Sequence, residues 1–173
     1  MIETERLILR PLMENDSEAL FANCTSDPYV AKYCSWYPHS DIEETKAFLR
    51  QCLDAAASGF KYRWGIVLKE NIELIGCIDV VDMDENGKIP EIGYMLSKKF
   101  WGNGYVAEAA KEVIKKLFDE GFNKITAVHA ADNTASGKVL EKCGMKFVGT
   151  EKGILKKGSD ESITFRCYEI TKE

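Results

Sequence analysis

The stretch Phe100-Trp101-Gly102-Asn103-Gly104-Tyr105-Val106-Ala107-Glu108-Ala109 decides the reading of this chain. It joins a strand-like segment to the best apolar helical stripe in the sequence: Val106, Ala109, Ala110, Val113, Ile114, Leu117 and Phe118, closed by Gly121. Glycines at such a junction let main-chain amides approach a ligand, and a helix N-terminus adds partial positive charge. The two together suit a pyrophosphate. A plain strand-to-helix turn would need no more than the same two glycines.

The context narrows what the loop can be. Gly102, Gly104 and Ala107 satisfy a loose dinucleotide pattern, but Ser97 to Trp101 separates them from the strand, and the preceding strands form hairpins instead of βαβ units. No Gly-Lys-Ser/Thr follows, which excludes a Walker loop.

Outward from the loop, alternation marks strands over 5–10, 61–69 and 72–81, and a returning strand over 89–96. Glu85-Asn86-Gly87 reads as a hairpin turn, and Pro90 as an edge or irregular position. Asn15 with Glu18 and Ser40 with Glu43 have capping-box spacing, Asp27-Pro28 reads as a cap and first helical position, and Ile42 to Ala56 is a helix stopped by Gly59. Beyond the loop come a strand over 124–130, a helix capped by Asn133 and closed by Gly144, and strands over 146–149 and 163–170. The order is β-α-α-β-β-β-α-β-α-β-β. An antiparallel meander feeding a crossover helix predicts a mixed, mostly antiparallel α/β (α+β) sheet flanked by helices.

Composition bounds the function. The 173 residues fit a single domain over 1–173, with enough chain to bury a core. Lys and Arg number 23 against 28 Asp and Glu, a net charge of −5, which gives no sign of a nucleic-acid surface. Apolar runs are too short for a membrane span. The six cysteines show no C-x-x-C spacing and the N-terminus lacks an apolar leader, so a cytoplasmic protein with reduced thiols is expected. Only His39 and His129 are present, neither beside a cysteine pair, and no metal is expected.

The chain resembles the GNAT superfamily of acetyl-CoA-dependent N-acetyltransferases, and within it the ribosomal-protein N-terminal acetyltransferase branch. The resemblance rests on Thr4-Glu5-Arg6-Leu7-Ile8-Leu9-Arg10, the aromatic-Pro loop over 35–40, Glu91-Ile92-Gly93-Tyr94, Trp101 to Tyr105, Glu108-Ala109 and Asn133-Thr134-Ala135-Ser136, in order over nearly the whole chain. The family's pyrophosphate loop is Arg/Gln-x-x-Gly-x-Gly/Ala. Trp101 stands at its first position, as is common in this branch, Gly104 matches, and Val106 departs from the small final residue.

The resemblance implies acetyl-CoA as cosubstrate, held by Trp101, Gly102, Asn103, Gly104, Tyr105, Val106 and Ala107. The pantetheine arm would lie in a splayed V between the strands over 89–96 and 124–130, pairing with the backbone of Met95 and Leu96 and facing Asn133 and Ser136. It implies Glu91 as general base and Ser136 as the acid for the leaving thiolate, with Tyr94 as an alternative donor. Tyr33, Trp36, Tyr37 and His39 would line the acceptor mouth, unless the aromatic loop simply packs, and Glu91 would also contact the acceptor. Cys143 and His129 are read as structural.

Acetyl transfer needs a neutral amine. An α-amine is roughly 10–20% neutral at pH 7, and a lysine amine below about 0.1%. The first expectation is direct transfer to a protein N-terminal amine. A small amine (a polyamine, an amino acid or an aminoglycoside) or a CoA-binding module without turnover remains open. The acidic balance favours a cationic acceptor. A homodimer is one assembly open to such a chain.

Overall fold

A computed structural model describes residues 1–172. Its centre is one eight-stranded sheet. The strands are β1 (Ile2–Glu3), β2 (Leu7–Arg10), β3 (Arg63–Leu68), β4 (Leu74–Met83), β5 (Pro90–Leu96), β6 (Lys124–Ala130), β7 (Lys146–Ile154) and β8 (Ser162–Thr171). Across the sheet they run β1-β2-β3-β4-β5-β6-β8-β7. Every neighbouring pair is antiparallel except β5 and β6, whose ladder contains the single pair Glu91–Thr126. The expected mixed, mostly antiparallel sheet is present, and its one parallel junction is also its weakest.

Helices cover the two faces differently. On one face lie α4 (Tyr105–Asp119) and α5 (Thr134–Lys142). The stripe of α4 packs on Ile78, Val80, Ile92 and Ile125 of the sheet. Each such buried aliphatic side chain contributes roughly 1.5–3 kcal/mol relative to exposure. On the other face α1 (Ser17–Leu20), α2 (Pro28–Ala31) and α3 (Ile42–Ala57) cover the first strands. Leu20, Leu49 and Cys52 meet Val67, Leu74 and Cys77 there. This is the amphipathic arrangement the alternating strands require.

Several local expectations shift. A short β1 precedes the expected first strand and pairs with it. The first helix begins as a 3-10 turn over Glu14–Asp16, where Asp16 accepts the Met13 amide (2.7 Å), and ends in a π turn over Phe21–Thr25. Asn15 therefore does not cap it. Asp41, not Ser40, caps α3, accepting from the amides of Glu43 (2.8 Å) and Glu44 (3.2 Å), while Ser40 donates to Glu44. The β4–β5 connection is a loop closed by Asp84, whose carboxylate accepts the Lys88 and Ile89 amides, instead of a two-residue turn. Pro90 sits at the first residue of a central strand, where its missing N–H costs no interior ladder bond. β7 runs on to Ile154, beyond the expected end at 149. Asn133 caps α5 as expected, accepting the Ser136 amide (3.3 Å).

Candidate active site

The glycine loop leaves the end of β5 through a 3-10 turn (Lys98–Phe100) and enters α4 at Tyr105. Gly102 and Gly104 have φ of 81° and 80°, a region that a side chain disfavours. A Cβ added at Gly102 would meet nothing within 4 Å, so that side of the loop is an open cradle. The amides of Tyr105, Val106 and Ala107 belong to the first turn and have no carbonyl behind them within the helix. Val106 is buried in the core, so its β-branched side chain points away from the cradle. A hollow of about 430 Å³ adjoins the turn, with Gly104, Ala107, Lys111 and Lys142 in its lining. Glu5, Glu108 and Glu112 line the same hollow, so the fit to an anionic pyrophosphate rests on the loop and first-turn amides.

Trp101 has a specific local task. Its indole Nε1 donates to the Leu96 carbonyl (2.8 Å), tying the loop to the end of β5. The Ser97 amide bonds the Ile75 carbonyl (2.8 Å). Alternation in an antiparallel ladder then turns the main-chain groups of Met95 toward β4 and those of Tyr94 and Leu96 toward β6. Leu96, with Tyr94, thus faces the gap between β5 and β6, and Met95 does not.

At that gap the sheet brings two sets of groups together on opposite faces. On the α4–α5 face the Tyr94 phenol meets the Ser136 hydroxyl at 2.7 Å. It also donates to the Ser136 carbonyl (3.2 Å). Burial holds the Tyr94 phenol well above its usual range, although the Ser136 hydrogen bond works the other way. Cys143 lies buried nearby against the Ala107 carbonyl, and burial pushes its thiol up to about 11, consistent with a packing role. His129 is buried too, bonded through Nδ1 to the Ala130 carbonyl (2.8 Å).

On the other face stands Glu91, half-buried at the junction with Thr126. Burial raises its carboxyl above the ordinary value, with Asp82 and Glu151 adding like-charge repulsion. A β-bulge creates part of this setting. The register shifts between Val80 and Asp82, so Asp82 stands opposite Glu91 and the extra residue, Val81, leans over Gly93. A Cβ at Gly93 would lie 2.6 Å from Val81 Cγ1, so only glycine fits beneath it. Beside it, Arg63 Nε donates to Asp79 (2.7 Å) and Arg63 Nη1 reaches Cys52 Sγ (3.0 Å). Burial raises the Asp79 carboxyl, and Arg63 opposes that. A cavity of about 280 Å³ opens here, with Phe60, Arg63, Val81 and Asp82 among its walls.

The aromatic loop divides. Tyr33 donates to Asp132 (3.2 Å), next to the start of α5. Tyr37 is exposed and lies 5.5 Å beneath the Lys156 ammonium. Trp36 and His39 instead form a packed row with Phe48, at centroid distances of 5.5 and 6.3 Å, and His39 bonds Thr45 (2.8 Å). Burial lowers the His39 imidazole, despite Glu44 and Asp41. Lys156, from the β7–β8 loop, ties this segment by donating to the carbonyls of Ala31 and Trp36. Sequence reading missed Asp79, Asp82, Arg63 and Lys156. One signal was present: Asp79 interrupts the apolar run Leu74–Val80.

All six cysteines are free thiols, four of them buried. Among the described residues, no helix is long and apolar enough to cross a membrane, and no group of three or more His, Cys, Asp or Glu is placed to hold a metal ion.

A parallel junction held by a single residue pair, beside a glycine loop and a helix N-terminus, is the arrangement that the resemblance to acetyl-CoA-dependent transferases implies. The family model for the acetyltransferase (GNAT) domain matches residues 6–146, and the chain belongs to that family. It is similar to the uncharacterized N-acetyltransferase YoaA of Bacillus subtilis, 33% identical over 150 residues that cover 86% of this chain and 84% of the relative. A GNAT-family acetyltransferase structure from Bacillus anthracis superposes with a TM-score of 0.85 at 28% identity, covering 98% and 97% of the two chains. RimL, a ribosomal L7/L12 alpha-N-protein acetyltransferase solved in complex with coenzyme A, shares the fold with a TM-score of 0.82 at 19% identity, over 97% and 95%. The protein is an acetyl-CoA-dependent acyltransferase.

Proposed function

We propose that the chain, as one catalytic domain over 1–173, transfers an acetyl group from acetyl-CoA directly to a primary amine, with a protein N-terminal amine as acceptor. One observation carries the reading. Glu91 and the Tyr94–Ser136 hydroxyl pair flank the β5–β6 junction from opposite faces of the sheet. That is the separation a proton acceptor and a proton donor need when acceptor and thioester approach from opposite sides.

Acetyl-CoA supplies the activated acetyl group. The cradle from Trp101 to Ala107 takes its pyrophosphate on the loop and first-turn amides. The main chain of Leu96 and Tyr94 lies along the arm as an added strand would, and Asn133 and Ser136 face it. Glu91 receives the proton of the acceptor, directly or through water. Its raised carboxyl keeps it basic enough to take a proton from an α-amine that is partly neutral at pH 7. Tyr94 and Ser136 form one hydroxyl unit, from which a proton reaches the leaving thiolate. No covalent acetyl-enzyme is invoked, since the buried Cys143 thiol is held protonated. The acceptor enters past Tyr33, Trp36 and Tyr37 on the Glu91 face.

A specific observation favours a second reading. Asp82 and Glu151 act on Glu91 as neighbouring negative charges, which suits a small polycationic amine as well as a basic peptide. Mass spectrometry across a panel of N-terminal peptides and small amines, with acetyl-CoA present, separates the two. Acetylated peptide α-amines are expected. Acetylation confined to small diamines would replace the first reading with the second. No acetylation of either and no thiol release, with a thermal shift on adding acetyl-CoA, would leave a CoA-binding module.

A further inference from the structure

We propose that Arg6, 97 positions from Asn103 in the chain, positions the Gly104 amide for the pyrophosphate, an inference that rests on the reading of the glycine loop given above. Arg6 lies in the turn between β1 and β2, which packs across the first turn of α4. Its Nη1 donates to the Asn103 carbonyl (3.1 Å). A peptide unit is planar and trans, so the N–H of Gly104 is antiparallel to the C=O of Asn103. Holding that carbonyl toward Arg6 therefore aims the Gly104 amide the opposite way, out of the loop.

The guanidinium itself is fixed on three sides. Nε and Nη2 both donate to Glu108 Oε2 at 2.7 Å. Arg6 also gives its main-chain amide to Oε1 of the same carboxylate (2.9 Å), which Thr4 Oγ1 bonds at 2.5 Å. The plane stacks over Tyr105, with Cζ 4.4 Å from the ring centroid. Burial alone would raise the Glu108 carboxyl, but these donors outweigh it and hold the group below its usual range. Glu108 thus stays ionised and neutralises Arg6, so the arginine is not offered to a phosphate as a free charge. Three of its five N–H donors are engaged by Glu108 and Asn103, and those contacts give it a geometric role at the loop. Such a planar fork is what distinguishes arginine from lysine at a site of this kind. A Cβ at Gly104 would stand in ordinary contact with Nη2 at 3.7 Å, so the φ of 80°, and not Arg6, disfavours a side chain there.

The test pairs calorimetry with coenzyme A against kinetics with two donors, acetyl-CoA and S-acetylpantetheine, which lacks the pyrophosphate. Arg6→Met is expected to weaken coenzyme A binding about tenfold, the equivalent of one charge-assisted hydrogen bond. It should lower kcat/KM with acetyl-CoA by a similar factor and leave kcat/KM with S-acetylpantetheine within about twofold. Arg6→Lys keeps the charge without the fork and should recover only part of the binding. Equal losses with both donors would mark a general loss of structure and overturn the assignment. So would unchanged coenzyme A affinity in Arg6→Met, or full recovery by Arg6→Lys, which also decides the case if Arg6→Met does not fold. A wild type that binds no coenzyme A would instead remove the pyrophosphate reading of the loop, and this inference with it.

Discussion

The two faces of the sheet at the β5–β6 junction are built by different means. The α4–α5 face takes its backbone geometry from two short stretches of chain, a glycine loop with a helix start and a cap, which Arg6 and Tyr94 then tie from a distance. The α1–α3 face is assembled from afar. There Arg63 meets Asp79, Asp82 comes opposite Glu91 through a bulge, and a β7–β8 lysine holds the carbonyls of Ala31 and Trp36. The difference teaches where specificity can change. On the function proposed above, the cofactor is served mainly by local backbone geometry, and the acceptor meets a surface that depends on long-range packing.

If this division of labour holds, substitutions on the two faces should separate acceptor chemistry from cofactor binding. The largest effect is expected for Glu91→Gln, with turnover falling about a hundredfold while acetyl-CoA KM stays within about twofold. In the wild type the rate should rise with pH through an apparent pKa above the ordinary carboxylate range, because Glu91 must be unprotonated to act. That limb should vanish from the pH–rate profile of the variant. A retained limb would take the base role from Glu91.

Gly104→Glu should do the converse. It puts a side chain at φ 80° and an anion beside the cradle, and coenzyme A affinity measured by calorimetry should fall about thirtyfold, or about 2 kcal/mol. Unchanged affinity would break the comparison on the cofactor side.

Smaller again is Ser136→Ala, with an expected loss of about tenfold in turnover. Tyr94→Phe should match it, and the double variant should be little worse than either, since hydroxyls 2.7 Å apart act as one unit. Additive losses would separate their roles.

The smallest effect concerns stability. The folded state raises the Glu91 carboxyl, so the native protein holds its proton more tightly than the unfolded chain. Stability is therefore lost as pH rises from the unfolded value through the folded one. Glu91→Gln should then melt about 1–3 °C higher than wild type at pH 7, measured by calorimetric scanning. A lower melting temperature would show that the carboxylate is structurally supported instead of tolerated for chemistry.

The same contrast explains what could be read from sequence. The α4 stripe, Gly102, Gly104 and the Asn133 cap are legible because spacing and local backbone demands determine them. The α3 cap is misplaced by one residue because Ser40 and Asp41 are both good caps, and only packing chooses between them. Glu91 is legible by resemblance, but its neighbour is not. Without the bulge, Val81 would stand opposite it, and nothing in the alternation of β4 announces the extra residue. Met95 and Leu96 look equivalent in sequence, yet the ladder turns only Leu96 toward the gap. The aromatic loop reads as one group, but Trp36 and His39 pack while Tyr37 is exposed, a split set by Phe48 and Lys156 from other elements.

Hydrogen exchange with and without coenzyme A tests the division of the two faces most directly. Coenzyme A is expected to slow exchange at the amides of residues 102–107 and at Tyr94 and Leu96, with residues 33–39 unchanged. Protection over residues 33–39, with none over 102–107, would place the cofactor on the other face and contradict the account.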